Sequence, residues 1–208
     1  MVETKINYNE IMKEVLKEQD GTKRLLLHAC CGPCSTYPLS ILVDYFQVDI
    51  LYLNQNIYPY EEWKKRLDTL ISFVNDFNIK TNHNVKVFVE HYDHSIFLNK
   101  CELYKNEQEG GKRCELCHKL RLHLAYEYAS KHNYDFFTTV MTVSSHKPSS
   151  FLNELGKELN KEFKNTEYLL SDFKKENGQL KGIQIAKEYS LYRQNYCGCE
   201  FALRNDDK

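Results

Sequence analysis

Leu25-Leu26-Leu27-His28-Ala29-Cys30-Cys31-Gly32-Pro33-Cys34 decides how the chain is read. A compact apolar run passes into a glycine-containing turn, and Pro33 stands where the first turn of a helix tolerates a missing N–H. Tyr37, Leu39, Ile41, Leu42 and Tyr45 then supply an apolar helical face. A short buried strand, a turn and a helix open an α/β unit.

The same alternation extends outward from this segment. Residues 6–20 read as a short amphipathic helix before the strand. Val48 to Leu53 is the second strand, followed by the polar loop Asn54-Gln55-Asn56. From Glu61, the residues Trp63, Leu67, Leu70, Val74 and Phe77 recur at spacings of four, three, four and three, which predicts a helix. Val85 to Val89 is a third strand, ending near Tyr92-Asp93-His94. Residues 99–113 are polar, contain Gly110-Gly111 and read as a lid-like insertion. A helix from about Cys114 to His132, a strand over 135–140, a helix over roughly 150–164, a short strand at 168–170 and a helix over 183–190 complete the pattern. The expectation is one α/β domain over residues 1–208, with an open, mostly parallel sheet, helices on both faces and a cysteine-bearing tail at about 191–201.

Composition narrows the class. The chain has 208 residues, 42% hydrophobic and 27% charged, which places it with soluble globular proteins rather than disordered ones. Eight glycines and four prolines exclude collagen-like and linker-dominated chains. A formal charge of −1 argues against a nucleic-acid coat and permits a local basic groove. No apolar stretch is long enough to cross a membrane as a helix, and the N-terminal residues lack the apolar region of a signal peptide. A cytoplasmic location is therefore expected, where structural disulfides are disfavoured.

The eight cysteines then need another role. Seven fall into three groups: Cys30-Cys31-x-x-Cys34, Cys114-x-x-Cys117 and Cys197-x-Cys199. Cys101 stands apart. A lone cysteine is most simply a small buried hydrophobe, but three groups form the donor set of a soft, sulfur-rich site. A structural zinc, an iron–sulfur cluster and a dithiol redox centre all fit this composition. A closed zinc site uses four ligands and leaves three of these thiols over, while ferredoxin spacing is absent.

Other candidates carry two meanings each. His28 at a strand end is a satisfied core histidine or a residue that orders the cysteine loop or donates a proton. Asp93 is an oxygen ligand, an acid or a solvated carboxylate. Asn54 and Asn56 hydrogen-bond a ligand or make a turn. Lys174, Lys175 and Arg193 contact phosphates or form a solvated face. Tyr192, Tyr196 and Phe97 stack on a base or fill the core.

Taken in order, LLLHACCGPCS, YLNQNIYPYEEWKKRLD, EGGKRCELCHKLRL, DFFTTVMTVSSHK, DFKKENG and LYRQNYCGC resemble the cobalamin-independent epoxyqueuosine reductases of the QueH family. The likeness covers about residues 24–201 and rests on HxCCxPC, RCxxC and YRQxYCGC together. It implies a PP-loop or adenine-nucleotide α-hydrolase-like α/β fold and reduction of epoxyqueuosine at the tRNA wobble position to the cyclopentene. It also implies a [4Fe-4S] cluster with an adjacent mononuclear iron, held by Cys30, Cys31, Cys34, Cys114, Cys117, Cys197, Cys199 and an acid. Cys114 and Cys117 are expected on the cluster, Asp93 as the acid, and Cys101 as dispensable. The implied partners are the anticodon loop of a queuosine-pathway tRNA and a one-electron donor such as ferredoxin or flavodoxin. The family commonly has alanine at Gly32 and Asn-Pro-Asn at Asn54-Gln55-Asn56; neither departure removes a ligand. Two rivals stand beside this reading. An ATP-dependent iron–sulfur tRNA thiolase would need a glycine-rich nucleotide loop where HACCGPCS stands, and a zinc-stabilised RNA-binding protein would have no turnover.

Overall fold

The computed structural model describes residues 6–203. Five strands, β1 (Arg24–Ala29), β2 (Gln47–Tyr52), β3 (Lys86–Val89), β4 (Phe136–Thr139) and β5 (Glu167–Tyr168), form one sheet in the order β3-β2-β1-β4-β5. Every pairing in it is parallel. The helices are α1 (Tyr8–Lys17), α2 (Gly32–Leu42), α3 (Tyr60–Thr81), α4 (His94–Cys101), α5 (Lys112–Lys131), α6 (Ser149–Leu159) and α7 (Gly178–Glu188).

Side chains alternate across a strand, so β1 serves two cores. Leu25, Leu27 and Ala29 pack with Met12 and Leu16 of α1, Leu39 and Leu42 of α2, and Leu70, Phe73 and Phe77 of α3. Leu26 points the other way, into Leu122, Ala125 and Tyr126 of α5 and Leu152 and Leu155 of α6. A strand covered on both faces reads as an uninterrupted apolar run, which explains why LLL carries no alternation. Gly178 opens α7 against α2 at a distance no side chain would allow: a Cβ there would lie 1.9 Å from the Phe173 carbonyl oxygen and 2.4 Å from the Tyr37 ring.

The strand order reverses between β1 and β4, and open parallel sheets bind ligands in the crevice beyond the strand ends at such a reversal. The first cysteine group leaves β1 at this point.

Three boundaries differ from the sequence expectation. Residues 99–113 are not a continuous loop: α4 runs to Cys101, a 3-10 turn covers Glu102–Tyr104, and α5 already begins at Lys112. The polar composition conceals one apolar face, on which Phe97 and Cys101 are buried. α6 ends at Leu159 because Asn160 turns the chain, its Oδ1 accepting from the Tyr168 amide at 2.8 Å. α7 starts five residues earlier than its apolar pattern suggests, at the Gly178 contact.

Candidate metal centre

Cys30 follows β1, Cys31 caps α2 with extended backbone (φ −174°), and Cys34 lies in the first helical turn. This strand-to-helix turn folds the three sulfurs together, all within 4.8 Å of one another. Cys30 and Cys31 are 3.9 Å apart at sulfur. Thiol hydrogen bonds from Cys31 and Cys34 hold Cys30 well below the usual thiol range, and the same bonds raise the two donors. The N-terminal end of α2 adds positive potential that favours sulfur anions.

The second group opens α5. Cys114 lies in the first turn and accepts a 3.2 Å hydrogen bond from the Gly110 amide. Cys117, one turn on, is buried in an apolar cluster with Phe97, Cys101 and Cys199. Burial pushes the Cys117 thiol up to about 12 against the opposing pull of Arg121, and neighbouring Cys197 adds to the rise.

The third group arrives on the tail after α7. Gly198 has φ +127°, open to glycine and strained for other residues, which lets the chain reverse between Cys197 and Cys199. Its carbonyl accepts from the Tyr58 amide at 2.8 Å. Gln194, three residues before Cys197, donates to the Cys31 sulfur at 3.1 Å.

These elements enclose a cavity of about 490 Å³ whose wall includes Cys30, Cys34, Cys114 and Cys197, so all three groups reach one space. Arg121, His118, Lys147, Phe151 and Gln194 complete much of the wall. Arg121 is buried and donates to Asn54 Oδ1 at 2.8 Å. Burial, then Arg121, push the His118 imidazole down to about 3, so it is neutral. Desolvation opposes the charge on half-buried Lys147, but the sulfurs of Cys197, Cys30 and Cys34 outweigh it and hold its pKa above the usual lysine value.

The residues expected from the sequence divide on inspection. Arg193 is exposed on the cavity rim, and Tyr196 lines the wall. His28 is fully buried between Thr139 Oγ1 at 3.0 Å and the Leu53 carbonyl oxygen at 3.1 Å. Burial lowers its pKa to about 3, and both ring nitrogens are engaged in joining the strand ends. Asn54 spans Ala29 and Arg121, its Nδ2 donating to the Ala29 carbonyl at 2.9 Å, and does not line the cavity. Asn56 is buried with its Oδ1 unpartnered. Asp93 caps α4, accepting from the Ser95 amide at 3.0 Å and hydroxyl at 2.6 Å, and is absent from the cavity wall. Its strand-end position suggested an acid facing the cysteines; its Oδ1 caps the start of α4. Lys174 binds Asp172 and Ser149, Lys175 is exposed, and neither lines the cavity. Tyr192 binds Glu62, and Phe97 is core.

Arg121, His118, Lys147 and Gln194 are the wall residues that sequence reasoning passed over. The helical spacing of Cys117 and Arg121, four apart, was the available signal. Lys147 and Gln194 reach the cavity from distant loops and left none.

Fold and cavity together define a parallel α/β protein with a cysteine-rich site able to take a metal. The family model for epoxyqueuosine reductase QueH matches residues 25–205. Among curated relatives, the epoxyqueuosine reductase QueH of Staphylococcus epidermidis is 39% identical over 97% of this chain and 87% of its own length. That of Streptococcus pyogenes is 36% identical over 96% and 79%. That of Thermotoga maritima is 28% identical over 86% and 90%. The chain belongs to the epoxyqueuosine reductase QueH family.

Proposed function

We propose that this protein reduces epoxyqueuosine in tRNA to queuosine in the cytoplasm, at a centre held by Cys30, Cys31, Cys34, Cys114, Cys117, Cys197 and Cys199. The observation that carries this reading is the convergence of three cysteine groups on one cavity in a chain of this family. Seven thiols exceed the four ligands of a closed zinc site and suit a [4Fe-4S] cluster with a neighbouring iron, with Cys114 and Cys117 on the cluster. When bound, that group supplies one-electron transfer and Lewis acidity.

The reaction removes the epoxide oxygen as water, consuming two electrons and two protons and leaving a carbon–carbon double bond. The electrons come from an external one-electron carrier of the ferredoxin or flavodoxin class. The chain's own residues prepare the place. Phe151 and His118, with ring centroids 6.3 Å apart, offer the flipped-out base an aromatic wall. The Lys147 ammonium, kept charged by the surrounding sulfurs, meets negative charge developing on the departing oxygen and holds a proton at Nζ. Arg193 on the rim contacts the phosphates of a single-stranded anticodon loop.

Iron and sulfide analysis of anaerobically prepared protein tests the centre. About five irons and about four sulfides per chain are expected, and stoichiometric zinc without sulfide overturns the reading. Incubation with epoxyqueuosine-containing tRNA and an artificial reductant should then yield a nucleoside lighter by one oxygen.

A further inference from the structure

Arg121 leaves α5 one turn after Cys117 and is 2% exposed. A buried guanidinium normally pairs with a carboxylate, because an uncompensated charge away from water is costly. Among the described residues no carboxylate forms an ion pair or hydrogen bond with this one. It donates to Asn54 Oδ1 at 2.8 Å, and its Nε has no partner. The groups that face it are the sulfurs of Cys117, Cys30 and Cys197, one from each cysteine group, and it shares the cavity wall with Cys30 and Cys197. Asn54 is itself anchored on the Ala29 carbonyl, so a neutral amide aims the guanidinium while leaving its charge undiminished. Lys147 also faces Cys30, Cys34 and Cys197, but it is less buried than Arg121.

We propose that Arg121 is the charge-compensating positioning residue of the cysteine centre, balancing the negative charge of the thiolate-held group and favouring its reduced state. The proposal rests on the iron–sulfur reading above. One-electron reduction adds one negative charge to the group, and a fixed cation in a dry site stabilises the more negative form. Arg121 therefore raises the potential at which the external carrier can deliver an electron.

The test uses full-length protein reconstituted anaerobically, with iron and sulfide content and the midpoint potential from an EPR-monitored titration as readouts. Arg121→Gln should retain iron and shift the midpoint negative, disfavouring the reduced form at least tenfold, about 59 mV for one electron. Arg121→Lys should recover most of that shift. Asn54→Asp, which places a carboxylate beside the guanidinium and alters no cysteine, should shift it in the same direction. A wild-type midpoint in iron-replete Arg121→Gln or Asn54→Asp overturns the proposal and leaves the proposed function standing. If Arg121→Gln fails to fold, Asn54→Asp decides alone. Wild-type protein that binds zinc and no sulfide overturns both.

Discussion

Arg66 donates from Nη1 to the carbonyl oxygen of Cys197 at 3.0 Å, tying α3 to the tail that carries the third cysteine group. Its Nη2 holds the Tyr196 carbonyl at 3.2 Å, and its Nε pairs with Glu62 at 2.6 Å. The pair is nearly dry, with side chains 1% and 11% exposed. Removing one member of a buried pair typically costs about 3–5 kcal/mol. Arg66→Ala should lose stability at the lower end of that range, and its tail should be cut faster by protease and release iron. Denaturant unfolding and limited proteolysis check this; a tail as protected as in wild type would show that Arg66 is not the latch.

Gly198→Ala tests the same latch from the other side. At φ +127° a side chain is strained, and a Cβ would stand 3.0 Å from Arg66 Nη1 and 3.1 Å from Ile57 Cγ1. A destabilisation of about 1–3 kcal/mol is expected, accompanied by reduced iron content. Calorimetry and metal analysis provide the comparison, and an unchanged melting temperature counts against the geometry.

Cysteine substitutions should separate ligands from packing. Cys114→Ala and Cys117→Ala are expected to abolish the visible absorption of the cluster. Cys101→Ala should keep it, yet Cys101 is fully buried against Phe97, Cys117 and Cys199, so its removal should cost about 1–2 kcal/mol. Loss of iron in Cys101→Ala would instead make the eighth cysteine a ligand.

Buried tyrosines predict alkaline sensitivity. Burial, helped by the bond to Glu154, raises Tyr8 from 10 to about 12, and burial raises Tyr92 equally far. Tyr126, Tyr134 and Tyr168 are raised as well, first by burial. A raised folded pKa means the unfolded chain deprotonates first, so this stability is complete below pH 10 and declines as pH climbs through the folded values. Circular dichroism and tyrosinate absorbance should therefore change cooperatively above pH 10. Independent, gradual ionisation with the fold intact would refute this.

Much of the architecture was legible because parallel strands covered on both faces must be apolar throughout, as at Leu25–Leu27, while α3 shows its buried stripe directly. α4 escaped notice because only Phe97 and Cys101 face inward, too few to stand out from polar neighbours. The roles of His28 and Asp93 were ambiguous for a different reason. Each type can do proton chemistry or satisfy local structure, and the choice lies in contacts with Thr139 and Leu53 for one and Ser95 for the other.

The sequence by itself determined the donor inventory, seven thiols in three groups, and the α/β alternation that carries them. Short spacings of this kind are local, since turn and helix geometry set which sulfurs lie within one turn of one another. Only the tertiary structure decided which charges meet those sulfurs. Arg121, Lys147 and Gln194 reach one cavity because the strand order reverses between β1 and β4 and Arg66 pins the tail across the opening. Those contacts join residues far apart in the chain, and no spacing along it encodes them.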